Sequence, residues 1–175
     1  GLGPPGPAQD RDRGLQLMQL FRIAPAQYLE NFSGLGGSYE HGGRWNRPGQ
    51  PALYMALSAG AALLEMANYL PSPTMAPPGY RLGVYELDDD AAVEHLSATA
   101  LPEDWWHFPY PEATQRIGGR FLEEGQFLAL TVPSVCAPLQ LERIALINPG
   151  HPDIRMLELR TSTDQLFNPR IFSGR

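Results

Sequence analysis

Read for the spacing of its apolar positions, the chain divides into short segments whose period shifts between that of a strand and that of a helix. Leu17 to Ile23 reads as a strand ending in Phe21-Arg22-Ile23. Pro25 then stands where a helix to about Asn31 would begin, because a proline in the first turn gives up only an N–H that has no partner there. Pro51 to Leu57 is a compact apolar strand. Ser58 is an N-cap residue type, and the helix it opens runs from Ala59 to about Leu70, where Pro71-Ser72-Pro73 stops it. Tyr80 to Leu87 alternates as a half-buried strand does, with Leu82, Val84 and the Leu87 end marking the inward side. After an Asp88-Asp89-Asp90 turn the chain is irregular through Trp105-Trp106. A helix follows from about Glu112 to Glu124 in spite of the unfavourable pair Gly118-Gly119. Phe127 to Val132, Arg143 to Ile147 and Ile154 to Leu159 are all β-prone. The helices do not recur with the regular βαβ rhythm of a parallel sheet, so the pattern predicts a single α+β domain of mostly antiparallel strands with short flanking helices.

Composition adjusts this picture in three places. At 175 residues the chain can bury about two-thirds of the surface its unfolded form exposes, enough for one core. The longest apolar run, near Leu53 to Leu64, is shorter than the roughly 20 residues a membrane-crossing helix needs, so no membrane association is expected. The Gly- and Pro-rich residues 1 to 16 have no apolar period and no signal-peptide pattern, and read as a flexible leader ahead of a domain spanning 17 to 175. Cys136 is the only cysteine; it leaves no thiolate cluster for zinc and fits a cytoplasmic protein. No metal is expected at Asp88-Asp89-Asp90 either, since the run lacks the spacing and distal glutamate of a calcium loop.

Charge narrows the candidate partners. The net charge of −6 argues against direct binding to nucleic acid, which needs a clustered basic face. All thirteen basic residues are arginine, which removes lysine-based phosphate loops and Schiff-base chemistry. Any phosphate binding falls to arginine, whose planar fork makes bidentate hydrogen bonds to oxyanions. Gly34, Gly36, Gly37, Gly42 and Gly43 form a loop that leads into Arg44-Trp45-Asn46, and glycine at such density permits close backbone approach to a ligand. A flexible loop with a surface Arg44 would look the same locally. Glu65, among Ala and Leu, shares a helix face with Ser58, Ala62 and Tyr69; an exposed helical glutamate is the plain alternative. Ser134 after Pro133 fits a turn, and Tyr54 fits a core strand. The aromatic stretch Trp105 to Tyr110 could fill core, cover a pocket or form an interface.

In order along the chain, six blocks resemble the RES domain: Phe21-Arg22-Ile23, Gly42-Gly43-Arg44-Trp45-Asn46, Leu53-Tyr54-x-x-x-Ser58, Ala62-Leu63-Leu64-Glu65, Val132-Pro133-Ser134 and Asn148-Pro149-x-His151-Pro152. Phe167-Asn168-Pro169-Arg170 extends the likeness, which runs from about residue 20 to 172. Phe121 and Cys136 depart from it, at a position where tryptophan is common and at one usually aliphatic. The family is the toxin half of bacterial RES–Xre toxin–antitoxin systems. The resemblance implies a fold like that of ADP-ribosyltransferase toxins and an enzyme that degrades NAD⁺ as a glycohydrolase or phosphorylase. In some members ADP-ribose is instead transferred to a protein, and a non-catalytic binding module on the same fold is a further alternative. It implies Glu65, Arg44 and Ser134 as catalytic residues and Arg22, Arg44, Tyr54 and Ser134 as the NAD⁺-binding set. An Xre-type antitoxin is implied as partner, and a homodimer is compatible with the sequence. The chemistry agrees with these roles: two arginines suit a pyrophosphate, and a carboxylate beside the ribose favours the cationic transition state over the ground state.

Overall fold

A computed structural model describes residues 17–70 and 76–171. The 1–16 leader and the Pro71-Ser72-Pro73 stop therefore lie outside the described residues. Among the described residues seven strands form one sheet: β1 (Met18–Pro25), β2 (Leu53–Ala56), β3 (Tyr80–Leu87), β4 (Val93–His95), β5 (Ala129–Pro133), β6 (Arg143–Ile147) and β7 (Leu157–Thr163). Their order is β4-β5-β6-β2-β1-β3-β7. Every pairing is antiparallel except β4 with β5. The α+β, mostly antiparallel architecture read from the sequence is the one observed.

Strand alternation divides the core between the two faces of the sheet. Leu20, Leu53, Met55, Tyr85, Leu87, Ala145 and Ile147 belong to one cluster. Strand residues on the other face, including Ala56, Leu82, Ile144 and Leu146, belong to a second, with Phe21 and Tyr54 packed against it. The second face carries the helices. Ala61 and Ala62 of α2 (Ala59–Ala67) and Phe121 of α3 (Glu112–Glu124) are buried in it. The small side chains of α2 allow it to lie close against β1 and β2. Ser58 caps α2 as read, its Oγ accepting from the Ala61 N–H at 3.0 Å.

Three local readings change. Pro25 ends β1, paired with Tyr80, instead of opening a helix, and only a single 3₁₀ turn, Ala26–Tyr28, follows. Tertiary partners take the carbonyls a helix would have used: Arg22 Nη1 donates to the carbonyls of Tyr28 and Asn31, and the Tyr85 hydroxyl donates to that of Leu29. The glycine-rich loop contains a short helix, α1 (Gly37–His41), which ends at Gly42 with φ of 76°. The last strand begins at Leu157, because Pro152 and His151, whose Nδ1 accepts from the Asp153 N–H, wind residues 152–156 into a 3₁₀ turn. β4 has no readable period, since three residues of Val-Glu-His are too few to show one. The Gly118-Gly119 pair has a packing reason. A Cβ at Gly118 would stand 1.8 Å from the Trp45 carbonyl oxygen, so only glycine lets α3 reach the backbone of the 42–50 loop.

Candidate active site

The helix-bearing face of the sheet gathers Arg44, Tyr54, Glu65 and Ser134 from four separate elements. Ser134 follows β5 directly, is 1% exposed, and donates its N–H to the carbonyl of Glu142, the residue just before β6. Its hydroxyl accepts from the Cys136 N–H at 3.1 Å and donates to Glu65 Oε1 at 2.6 Å. The serine is thus both a turn residue and a site residue. With one lone pair engaged by the Cys136 amide, the hydroxyl hydrogen is directed at the carboxylate, and a charge-assisted O–H···O⁻ bond of this length is a strong one. Glu65 projects from α2, half-buried, with its position along the sheet fixed by Ser134.

Tyr54 lies on β2 beneath the loop that carries Arg44. Its hydroxyl donates to Asn46 Oδ1 at 2.7 Å and accepts from the Trp45 N–H at 3.1 Å. Asn46, fully buried, sends its amide N–H groups to the carbonyls of Ser38, Arg47 and Gln50. Gln115 of α3 ties the same loop down through the carbonyls of Gly43 and Asn46. A Cβ at Gly43 would meet the Tyr54 hydroxyl at 2.6 Å, so glycine is needed there for the hydroxyl to reach Trp45 and Asn46. Burial pushes the Tyr54 phenol up, so it stays protonated. Tyr54→Phe is expected to leave Asn46 Oδ1 and the Trp45 N–H unpaired and to cost about 1–3 kcal/mol, read as a lower urea midpoint.

Arg44 points from this rigid loop toward the Trp105–Tyr110 segment. Its Nη1 donates to the carbonyls of Trp105 at 2.6 Å and His107 at 2.7 Å, and its guanidinium carbon stands 5.2 Å from the centroid of the Tyr110 ring. No carboxylate among the described residues forms an ion pair with it. Burial lowers its pKa, while Tyr110, then Glu65, then Tyr69 and Cys136 act in the opposite direction. The aromatic stretch therefore covers Arg44, with Trp105 also packing against the core of this face. Clefts of about 520 and 780 Å³ are present elsewhere on the surface, and neither is lined by Arg44, Tyr54, Glu65 or Ser134.

Arg22 is not brought to this cluster. It shares the parity of Leu20 on β1 and so faces the opposite side of the sheet, where its guanidinium holds the carbonyls of Tyr28 and Asn31 beside Tyr85. Burial lowers its pKa and Tyr85 offsets part of the effect. Three residues outside the candidate set, Tyr69, Tyr110 and Cys136, do stand in the cluster. Tyr69, in the turn that follows α2, places its hydroxyl 3.5 Å from that of Tyr110. Its helical spacing from Glu65 was a usable signal, whereas nothing local marks Tyr110 as a neighbour of Arg44. Cys136 accepts from Asn68 Nδ2 at 2.9 Å, and burial followed by the Glu65 charge pushes its thiol up. Iodoacetamide at pH 8 should therefore alkylate Cys136 more slowly than a free cysteine; a rate equal to or above that of the free thiol would contradict the placement.

Comparisons with known proteins identify the family to which the chain is similar. A family model described as the RES domain matches residues 19–167. The chain is 34% identical over 135 residues to Toxin Res of Yersinia enterocolitica, spanning 77% of this chain and 86% of that one. It is also 34% identical over 144 residues to Toxin Res of Pseudomonas putida, spanning 82% and 92%. The Prs ADP-ribosylating toxin of a Sphingobium species is 31% identical over 144 residues, covering 81% and 87%. Among solved structures, a chain of the M. tuberculosis MbcT–MbcA toxin–antitoxin complex superposes with a TM-score of 0.66 at 24% identity, over 85% of this chain and 84% of that one, a likeness of fold. With the family model spanning the whole sheet and the curated relatives aligned over most of their length, this chain belongs to the RES domain family.

Proposed function

We propose that this protein is the toxin of a toxin–antitoxin system and that it cleaves NAD⁺ at the bond between nicotinamide and ribose. The observation that carries the reading is the pairing of an Arg44 guanidinium that has no carboxylate partner among the described residues with a Glu65 carboxylate fixed by Ser134 on the same face of the sheet. Two opposite charges held near each other by neutral partners suit a substrate that carries an anionic pyrophosphate at one end and develops a cation at the other. Arg44 takes the phosphate oxygens, and Tyr54 forms the floor beneath the nicotinamide. As the C–N bond lengthens, its electron pair leaves with nicotinamide. Positive charge then grows on the ribose beside Glu65, which stabilises it more strongly than the ground state. Water adding to that carbon gives ADP-ribose and releases a proton; inorganic phosphate as acceptor would give the ADP-ribose phosphate ester. Ser134 orients the carboxylate and is not a nucleophile, since its proton is committed to Glu65 and, among the described residues, its hydroxyl has no hydrogen bond to a histidine. Arg22, on the other face, supports the 26–31 turn.

Transfer of ADP-ribose to a protein side chain is the second reading, favoured by the Sphingobium relative whose name is Prs ADP-ribosylating toxin. It uses the same residues with a different acceptor. Incubation with labelled NAD⁺ and cell lysate separates the two: free labelled ADP-ribose supports hydrolysis, and label retained on a protein band supports transfer. The relatives named as toxins and the toxin–antitoxin complex sharing the fold support a protein held in check by an antitoxin; the Xre type of that antitoxin and a cytoplasmic location belong to the proposal through the family resemblance.

A further inference from the structure

Arg44 carries five N–H donors in one plane. Both hydrogens of Nη1 have acceptors, the carbonyls of Trp105 at 2.6 Å and His107 at 2.7 Å. Nε and Nη2 have no protein acceptor among the described residues. Those two nitrogens form one edge of the fork, with parallel N–H bonds spaced for two oxygens of a single oxyanion. One face of the guanidinium is covered by Tyr110, and the Tyr110 ring is steadied by Phe108 at 5.3 Å in an edge-on contact and by the Tyr69 hydroxyl. The anchoring groups share one property: none is a carboxylate. Two backbone carbonyls and a π face fix the direction of the guanidinium without neutralising it, so its charge remains available to a ligand.

We propose that Tyr110, acting with the Trp105 and His107 carbonyls, is the positioning element that presents the Nε–Nη2 edge of Arg44 to a diphosphate. This rests on the NAD⁺ reading for the identity of the ligand and assigns the covering segment a part in binding it. Tyr110 acts through Arg44 and does not touch the reacting atoms. Its removal lets the guanidinium turn away from the anion, whereas phenylalanine keeps the stacking face.

The test is calorimetric titration of the folded protein with inorganic pyrophosphate and, separately, ADP-ribose, alongside steady-state NAD⁺ cleavage. Tyr110→Ala is expected to weaken pyrophosphate binding about tenfold, with Tyr110→Phe within about twofold of wild type. In turnover, Tyr110→Ala should raise KM for NAD⁺ by a similar factor and change kcat by less than about threefold, because ground-state and transition-state binding are lost together. Equal pyrophosphate affinity in wild type and Tyr110→Ala, with circular dichroism showing both folded, would overturn the proposal. So would a loss in Tyr110→Phe as large as in Tyr110→Ala. Wild type that binds pyrophosphate through Tyr110 but neither binds ADP-ribose nor cleaves NAD⁺ would leave the positioning role standing and overturn the NAD⁺ reading.

Discussion

Glu65→Gln is expected to lower nicotinamide release from NAD⁺ by about 10²–10³-fold while leaving the fold intact. The substitution keeps the shape of the side chain, and the amide oxygen can still accept from the Ser134 hydroxyl, which lies 2.6 Å from Oε1 in the native site. What disappears is the negative charge, which matters most as the ribose becomes cationic. KM should move little, because Glu65 contributes to the transition state and not to holding the phosphates. A variant with a much raised KM and unchanged kcat would place Glu65 in binding instead. Host toxicity should fall with the turnover number.

Gly118→Ala is expected to produce the largest loss of stability of any single methyl added to this chain's helices. The new Cβ would lie 1.8 Å from the carbonyl oxygen and 2.7 Å from the carbonyl carbon of Trp45, and these are backbone atoms that cannot swing aside. Relief requires α3 to retreat from the loop. That retreat would also pull Gln115 away from the carbonyls of Gly43 and Asn46. Overpacking of this kind costs about 3 kcal/mol or more, or a fall in Tm of roughly 6–12 °C for a domain of this size. Gly60→Ala is the control with the opposite sign. In the first turn of α2 the nearest atom to an added Cβ is Ser58 Oγ at 3.9 Å, so alanine should stabilise by about 0.4–1 kcal/mol. Equal behaviour of the two variants in thermal unfolding would contradict the packing described for α3.

The sequence disclosed the elements that local rules determine. α3 runs over the residues the pattern marked, β3 and β6 likewise, and Ser58 caps α2 through its side chain. It disclosed less where tertiary partners override local preference. The 26–31 segment has the composition of a helix start, but its carbonyls are taken by Arg22 and Tyr85 from neighbouring strands, so a single turn forms. Ile154 has strand propensity, but His151 and Pro152 wind the chain ahead of it.

The candidate site follows the same division. Arg44, Tyr54, Glu65 and Ser134 were legible because each sits in a short motif, and the fold brings all four to one face. Arg22 has motif support too, but strand parity sends it to the other face, and parity on β1 can be assigned only once the register with β2 and β3 is known. The stretch Trp105 to Tyr110 could be marked from sequence as a possible pocket cover, but Tyr110 could not be singled out in it as the neighbour of Arg44. Its contact with Arg44 depends on the path of an irregular segment anchored by backbone carbonyls, which any residue type supplies.

The most direct test of the account is nicotinamide release from NAD⁺ by the purified protein, without an antitoxin, measured beside Glu65→Gln. The account predicts many turnovers by wild type and a rate near background for the variant. Folded wild type that leaves NAD⁺ intact, or a Glu65→Gln protein that releases nicotinamide as fast as wild type, would contradict it.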